Sequence, residues 1–447
     1  MDRERPVLLA RGSGVRPRRP GVDRGVAPGG VMARGVEFVR GSRAGLRRAL
    51  AFGAALAVGL AAGGVIGLLA QVRPRERLPA PSPPPGVLNA GPAPSVAPAE
   101  ASTLLLWTPG GLPQGFAGAA AALPGVSHIA VVTSGIAWLT RSYAGDGTVV
   151  DQPPAGLAIP LEVAGVNLSG YEPFLAPADR GILPSLAAGE AALGTTSAAI
   201  RRLEPGGTLQ FGSAQLSVAG ILPDAEIGAN EVFVSRATAA KLGVKVERYA
   251  LIEPAQGASR ATLTSALEGL LPPGTVAQIR VPGETPVFRQ GDAVLPPVEM
   301  KEFFGEFAAK PAGRGLLRID PAWVASHIID VQVPLLGEVR CNRALIPQLT
   351  GALEDIERAG LGSLIHPNDA GACYSPHFIS EDPLIGISHH TWGAAIDLNI
   401  SQNRFGRTPH LDPRVVKIFE QWGFTWGGDW VIPDGMLFEF VRFATGT

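Results

Sequence analysis

The feature that most restricts the fold of this chain is a ten-residue segment with the sequence SHHTWGAAID. After the glycine, every second residue from 394 to 400 is apolar. This alternation predicts a strand on which Ala395, Asp397 and Asn399 share one face. Gly393 allows a turn before that strand, which brings His390 beside Asp397. An imidazole beside a carboxylate suits zinc, which takes nitrogen and oxygen ligands and keeps one position for water in catalytic sites. The segment predicts a metal site; the alternative is a polar hairpin with a structural histidine.

Length and charge limit the class of protein. With 447 residues the chain is long enough for two or three domains, each with its own core. The net charge is -1, whereas binding to a nucleic-acid backbone needs a strong basic excess. We therefore expect no nucleic-acid partner.

The N-terminal region predicts a membrane anchor. Residues 1–48 contain twelve arginines and four acidic residues, which is typical of a basic disordered tail. Residues 49–72 are uncharged and apolar over a length that spans a bilayer, although a cleaved signal peptide or a buried core helix are the alternatives. The arginine excess places the tail in the cytoplasm and the rest of the chain outside, as a single-pass membrane protein. Residues 73–100 are a proline-rich linker, which favours a stiff spacer.

Residues 101–285 predict a mixed α/β extracytoplasmic domain. Residues 128–140 are rich in strand formers, and residues 208–222 predict two strands joined by a Gly-Ser turn. Residues 189–203 predict a helix, and residues 230–244 predict a strand that continues into a helix. We find no cluster of histidine, cysteine or acidic residues at metal or catalytic spacing in this region.

Residues 300–447 predict a C-terminal α+β domain with a small antiparallel sheet. Residues 343–360 have the apolar spacing of an amphipathic helix that ends at a glycine. Cys341 and Cys373 both lie in the exported part, and an even cysteine count in an oxidising compartment favours a disulfide. Two unrelated buried thiols are the alternative. The predicted fold class is thus α+β, with one N-terminal transmembrane helix and two extracytoplasmic domains.

The C-terminal region resembles a known family. Its segment Ser388–Asp397 fits the pattern SxHxxGxAxD, and residues 320–443 resemble VanY-type D-alanyl-D-alanine carboxypeptidases and the related L-alanyl-D-glutamate endopeptidases. The resemblance implies a zinc cofactor, peptidoglycan stem peptides as substrate, and hydrolysis of a peptide bond. It also implies His390 and Asp397 as two zinc ligands and Asp434 as the general base.

The sequence departs from that family at the third ligand. The family has a distal histidine where this chain has Leu437, and no histidine follows His410. Leucine cannot bind zinc, so three interpretations stay open. Glu439, or less readily His389, acts as a substitute ligand; the domain is a wall-binding pseudoenzyme; or another chain completes the site.

Further residues around the motif are predicted to bind substrate. The family tends to carry an arginine ahead of the metal motif, and the corresponding residue here is His377, which cannot offer an arginine fork. Ser388, Tyr374 and Trp426 are predicted to line the same groove. Separately, residues 189–224 resemble the extracytoplasmic domain of MacB-type transporter permeases, which implies a module that contacts a protein partner and has no catalytic role.

Overall fold

Most of residues 104–280 fold into a ten-stranded mixed sheet in the computed structural model, which describes residues 103–280 and 295–444 of the chain. The strands are β1 Leu104–Trp107, β2 Val126–Leu139, β3 Arg141–Tyr143, β4 Ile159–Val166, β5 Ala191–Gly194, β6 Thr208–Phe211, β7 Ala214–Leu222, β8 Val232–Ser235, β9 Glu247–Pro254 and β10 Gln278–Arg280. Their order is β10-β1-β9-β2-β4-β8-β5-β7-β6-β3. The pairs β4–β8 and β5–β7 are parallel, and the other pairs are antiparallel.

Strand β1 of this sheet is buried on both faces. Successive residues of β1 enter different hydrophobic clusters, because side chains alternate across a strand. Leu104 and Leu106 pack into one cluster, whereas Leu105 and Trp107 pack into another. The strand is therefore apolar throughout, as expected for a strand covered on both sides.

Short helices cover the sheet: α1 Phe116–Ala121, α2 Leu168–Tyr171, α3 Leu183–Ala187, α4 Thr195–Arg201, α5 Arg236–Lys241 and α6 Arg260–Glu268. The strands predicted within 128–140, 208–222 and 230–244 are present as β2, β6 with β7, and β8. The helix predicted over 189–203 is wrong in its first half, where β5 forms. Every residue of β5 is buried between β7 and β8, so tertiary pairing outweighs local helix propensity.

Residues 295–444 fold into helices around three small antiparallel sheets. The helices are α7 Pro297–Phe304, α8 Pro321–His327, α9 Ile346–Arg358 and α10 Pro413–Gln421. The strands are β11 Ala309–Gly313 with β12 Leu316–Ile319, β13 Ile328–Val333 with β14 Gly337–Asn342, and a sheet of order β15-β17-β16 made of β15 Ala395–Asp397, β16 Phe424–Trp426 and β17 Leu437–Phe440. The mixture of one large sheet, small sheets and helices agrees with the predicted α+β class.

The predicted basic tail, transmembrane helix and linker, residues 1–100, lie outside the described residues. Between residues 103 and 280 and between 295 and 444, the structure has no helix with the length and apolar character needed to cross a bilayer.

A buried cluster of charges joins the large sheet region to α7. The Arg201 guanidinium contacts Glu231 at 3.1 Å and Glu306 at 2.5 and 2.7 Å. Lys301 Nζ donates to Glu231 at 2.7 Å and to the carbonyl of Pro160 at 2.6 Å. Burial alone would raise the pKa of Glu231, but the charges of Lys301 and Arg201 outweigh burial and the pKa is lowered. The two carboxyl groups and the two basic groups of this cluster are thus in direct contact with one another.

We expect Lys301→Met to lower the free energy of unfolding by about 3–5 kcal/mol, because it leaves a carboxylate buried without one of its partners. A matched control is Arg236→Met, whose partner Glu247 forms a pair that is partly exposed to solvent. That control should cost about 1 kcal/mol or less. Urea unfolding measures both. Equal effects of the two substitutions would contradict a stabilising role for the buried cluster.

Candidate functional site

The candidate site lies on the small sheet β15-β17-β16. β15 pairs with β17 in an antiparallel register in which Asp397 faces Leu437 and Ala395 faces Glu439. Directly opposed residues point to the same face of a sheet, and so do residues two apart on one strand. Asp397, Leu437 and Glu439 therefore share a face. Glu439 can share the face of Leu437 only if residues 437–439 form a strand, and β17 is that strand.

His390 lies in a 3-10 turn, His389–Trp392, directly before β15. The Ser388 hydroxyl accepts a hydrogen bond from the His390 amide at 3.3 Å and caps this turn. Gly393 ends the turn with a φ of 69°, and a Cβ there would lie 2.7 Å from the Asn342 amide nitrogen. Glycine is thus required at 393 both for the left-handed backbone and for the close approach.

The His390 ring has two different environments. Its Nδ1 lies 3.1 Å from the carbonyl oxygen of Ala372 and 3.2 Å from that of Cys373, so Nδ1 carries the proton. Its Nε2 faces Asp397 Oδ1 at 3.5 Å. Burial lowers the pKa of His390, but the hydrogen bond and charge of Asp397 outweigh burial, and the pKa is raised. The structure thus brings together the two residues that the motif predicted as metal ligands.

The predicted strand over 394–400 is shorter than expected. β15 ends at Asp397, and Asn399 has a φ of 50°, which takes it off the strand. The Asn399 side chain accepts from the His366 amide at 2.9 Å and donates to the Leu364 carbonyl at 2.8 Å. The prediction that Asn399 shares the face of Asp397 is therefore wrong, because its amide group is used to hold neighbouring loops.

The residues of the site do not fit a catalytic zinc ion. Such an ion takes three protein ligands, and here His390 and Asp397 supply two. The residue opposite Asp397, where a third ligand would share the face, is the buried Leu437. Across residues 103–280 and 295–444, no three histidine, cysteine, aspartate or glutamate side chains converge closely enough to hold a metal ion.

Glu439, the predicted substitute ligand, contacts a different histidine. Its Oε2 lies 2.9 Å from His389 Nδ1. His389 Nε2 lies 3.1 Å from the carbonyl oxygen of Leu295, at the start of the segment leading into α7. Both residues are buried. His389 itself lies in a turn and not in a strand, and its ring is held between Glu439 and Leu295.

Two of the predicted substrate-binding residues, Tyr374 and His377, lie close together in a stretch outside the regular helices and strands, and a third, Trp426, lies on a strand. His377 is stacked on His390 with ring centroids 5.8 Å apart, and burial lowers the pKa of His377. Tyr374 is half-buried and stacks with the Arg340 guanidinium at 5.6 Å. Trp426 lies on β16 and donates from Nε1 to the Gly435 carbonyl at 2.8 Å. A substrate role for these residues and for Ser388 stays a prediction.

Asp434, the predicted general base, lies in the turn that precedes β17. Its amide donates to the Gly427 carbonyl at 2.8 Å, and its carbonyl accepts from the Leu437 amide at 3.2 Å. The side chain is half-buried. Its role as a base stays a prediction.

Cys341 and Cys373 are bonded to each other as a disulfide, with Cα atoms 4.8 Å apart. The even cysteine count favoured this pair, whereas nothing in the sequence indicates the backbone contacts around it. The carbonyls of Ala372 and Cys373 that hold His390 carry no sequence signal, because every residue type has a carbonyl. The role of the Leu295 carbonyl beside His389 is hidden for the same reason.

Comparison with solved structures finds similarity to domains of transporters. The periplasmic region of MacB from Actinobacillus actinomycetemcomitans is 11% identical with a TM-score of 0.29, over 40% of this chain and 88% of that chain. The extracellular domain of the noncanonic ABC-type transporter YknZ from Gram-positive bacteria is 13% identical with a TM-score of 0.25, over 37% of this chain and 88% of that chain. The predicted resemblance to MacB-type domains is therefore confirmed as a similarity to solved structures at low sequence identity.

Comparison at the level of sequence concerns the C-terminal part. No curated protein matches the chain. Residues 385–440 match the family model described as D-alanyl-D-alanine carboxypeptidase. The matched range includes the turn with His390, all of β15 and all of β17. The predicted resemblance is therefore confirmed: the C-terminal part of this chain is similar to the D-alanyl-D-alanine carboxypeptidase family.

Proposed function

We propose that this chain is a carboxypeptidase-like protein whose C-terminal part binds peptidoglycan stem peptides. In this proposal the site holds no catalytic zinc ion and does not hydrolyse the bound peptide by zinc chemistry. The observation that carries the proposal is the pairing of Leu437 with Asp397 across β15 and β17. This register puts an apolar side chain at the place from which a third ligand would reach a metal held by His390 and Asp397.

A zinc ion held by His390 and Asp397 alone would be bound weakly. Zinc bound by two protein ligands loses both affinity and fixed orientation compared with zinc bound by three. Glu439 is the nearest replacement by chemistry, but its carboxylate contacts His389, and moving it would leave a buried imidazole without its charged neighbour. His390 and Asp397 instead form a direct polar pair.

The predicted substrate-binding residues suit binding of a short peptide that ends in D-alanine. His377 Nδ1 lies 2.7 Å from the Ser375 carbonyl, so the proton of the neutral ring is on Nδ1 and Nε2 is the acceptor nitrogen for a peptide N–H. Tyr374 and Trp426, which are both partly exposed, provide aromatic contact area. Recognition of this kind needs no metal.

The place of action is part of the proposal. Peptidoglycan lies outside the cytoplasmic membrane, and the apolar run at 49–72 with its arginine-rich leader supports a single-pass anchor with residues 101–444 outside. In this arrangement the large sheet region offers a second surface, for a protein partner. Protease treatment of intact spheroplasts tests this: added protease should degrade the bulk of the chain, and full protection would exclude an external location.

We expect Leu437→His to convert the site into a zinc site, because histidine at this position shares the face of Asp397 and supplies a third ligand. After equilibration with zinc and dialysis, the variant should retain one zinc per chain, whereas the wild type should retain none. Metal analysis measures this, together with release of D-alanine from a synthetic stem peptide. Leu437→Asn is the control, with a polar side chain of similar size that binds zinc poorly.

A wild type that retains one zinc per chain and releases D-alanine would overturn the proposal and favour the zinc peptidase. Calorimetric titration with the same stem peptide tests binding directly. A wild type that does not bind the peptide would also contradict the proposal.

Glu439→Gln separates a structural role of Glu439 from a role as substitute ligand. We expect it to lower the free energy of unfolding by about 1–3 kcal/mol, because His389 loses its charged neighbour in a buried environment. The metal content of the wild type should be unchanged by it. Glu338→Gln, on the exposed surface of β14, is the control and should have little effect. Zinc bound by the wild type and lost in Glu439→Gln would instead identify Glu439 as a ligand.

A further inference from the structure

The irregular segment 371–375 contacts both polar residues of the site. It belongs to no helix or strand, so no regular ladder of hydrogen bonds fixes its path. At its start, the Gly371 amide donates to the Asp397 carbonyl at 2.9 Å. Further along, the carbonyls of Ala372 and Cys373 face His390 Nδ1. At its end, the Ser375 amide donates to the His390 carbonyl at 3.0 Å.

The same segment is attached to β14 at two successive positions. Cys373 is bonded to Cys341, and the Tyr374 amide donates to the Arg340 carbonyl at 2.9 Å. β14 also contacts the turn that carries His390, since the Asn342 amide donates to the Gly393 carbonyl at 3.0 Å. The disulfide is the one covalent link in this set of contacts. It joins a strand whose pairing register is fixed to a segment that pairs with no strand.

Gly371 shows how closely the segment approaches the site. A Cβ at this position would lie 2.7 Å from Asp397 Oδ2 and 3.0 Å from Asp397 Cβ. The backbone of Gly371 is outside the left-handed region, so the requirement for glycine comes from contact with Asp397 and not from φ. Alanine at 371 would therefore displace the Asp397 carboxylate while the disulfide stays intact.

We infer that segment 371–375, tethered by the Cys341–Cys373 disulfide, is a positioning element that fixes the His390 ring and the Asp397 carboxylate relative to each other. A carbonyl at Nδ1 selects the tautomer and the rotation of an imidazole, and Nε2 is then directed at its partner. The disulfide thereby acts on the site through two backbone carbonyls, in addition to any contribution to stability. Its consequence for peptide binding rests on the proposed function; its consequence for His390 does not.

The first test uses a spectroscopic signal of His390 in the ligand-free protein. In a sample with 15N-labelled histidine at a single pH, the His390 ring signals, assigned with His390→Gln, report the hydrogen bond at Nδ1. Gly371→Ala should shift them. Gly118→Ala is the matched control, because a Cβ at 118 meets nothing within 4 Å.

The second test removes the tether. The same signals are measured after mild reduction of the native protein and in the Cys341→Ser/Cys373→Ser double variant. We expect loss of the hydrogen-bonded Nδ1–H signal in both, with circular dichroism showing that the fold is retained. Should the double variant fail to fold, reduction of the native protein and Gly371→Ala still decide the question. Unchanged His390 signals in the reduced protein and in Gly371→Ala would overturn the inference.

A third measurement connects the element to binding. Titration with a synthetic stem peptide ending in D-alanyl-D-alanine should show affinity about tenfold lower in the reduced protein than in the oxidised protein, which is the scale of one misplaced hydrogen bond. If the oxidised wild type does not bind the peptide at all, the proposed function fails while the His390 signals still test the positioning element. Equal affinities of oxidised and reduced protein, with binding intact, would count against the positioning role alone.

Discussion

The antiparallel pairing of β15 with β17 is the constraint on which the candidate site depends. A register shift by one residue would turn Leu437 and Glu439 to the opposite face, because side chains alternate along a strand. In the register observed, Asp397 meets Leu437 and Ala395 meets Glu439. This pairing decides that the side chain beside the His390–Asp397 pair is apolar, and it also decides which carboxylate is close enough to His389.

Buried polar contacts hold the surroundings of this sheet in one arrangement. Glu439 contacts His389, and His389 contacts the Leu295 carbonyl ahead of α7. α7 carries Lys301, which binds Glu231 near the start of β8. Each buried polar side chain in this series has a polar group beside it, as a low-dielectric interior requires. The segment 295–304, which includes α7, therefore has polar contacts both with the large sheet region and with the residues next to the candidate site.

The spacing of apolar residues predicted an element correctly where neighbouring residues decide its structure. The amphipathic spacing before Gly360 predicted α9, which ends at Arg358, and Gly360 has a φ of 71°. The pattern failed where distant partners decide. Residues 191–194 form a buried strand because β7 and β8 lie on either side of it. Asn399 leaves the predicted strand because its amide group bonds to two loop residues more than thirty positions earlier in the chain.

By itself, the sequence determined the α+β class, the one possible disulfide between the two cysteines, and the proximity of His390 to Asp397. These three properties follow from residue spacing and composition. It also identified Leu437 as the residue that departs from the family pattern. Only the tertiary structure decided that Leu437 faces Asp397 and that Glu439 contacts His389. It alone placed the carbonyls of 372 and 373 against the His390 ring. The physical reason is that register and backbone carbonyl positions depend on contacts between segments far apart in the chain, which the order of residues does not display.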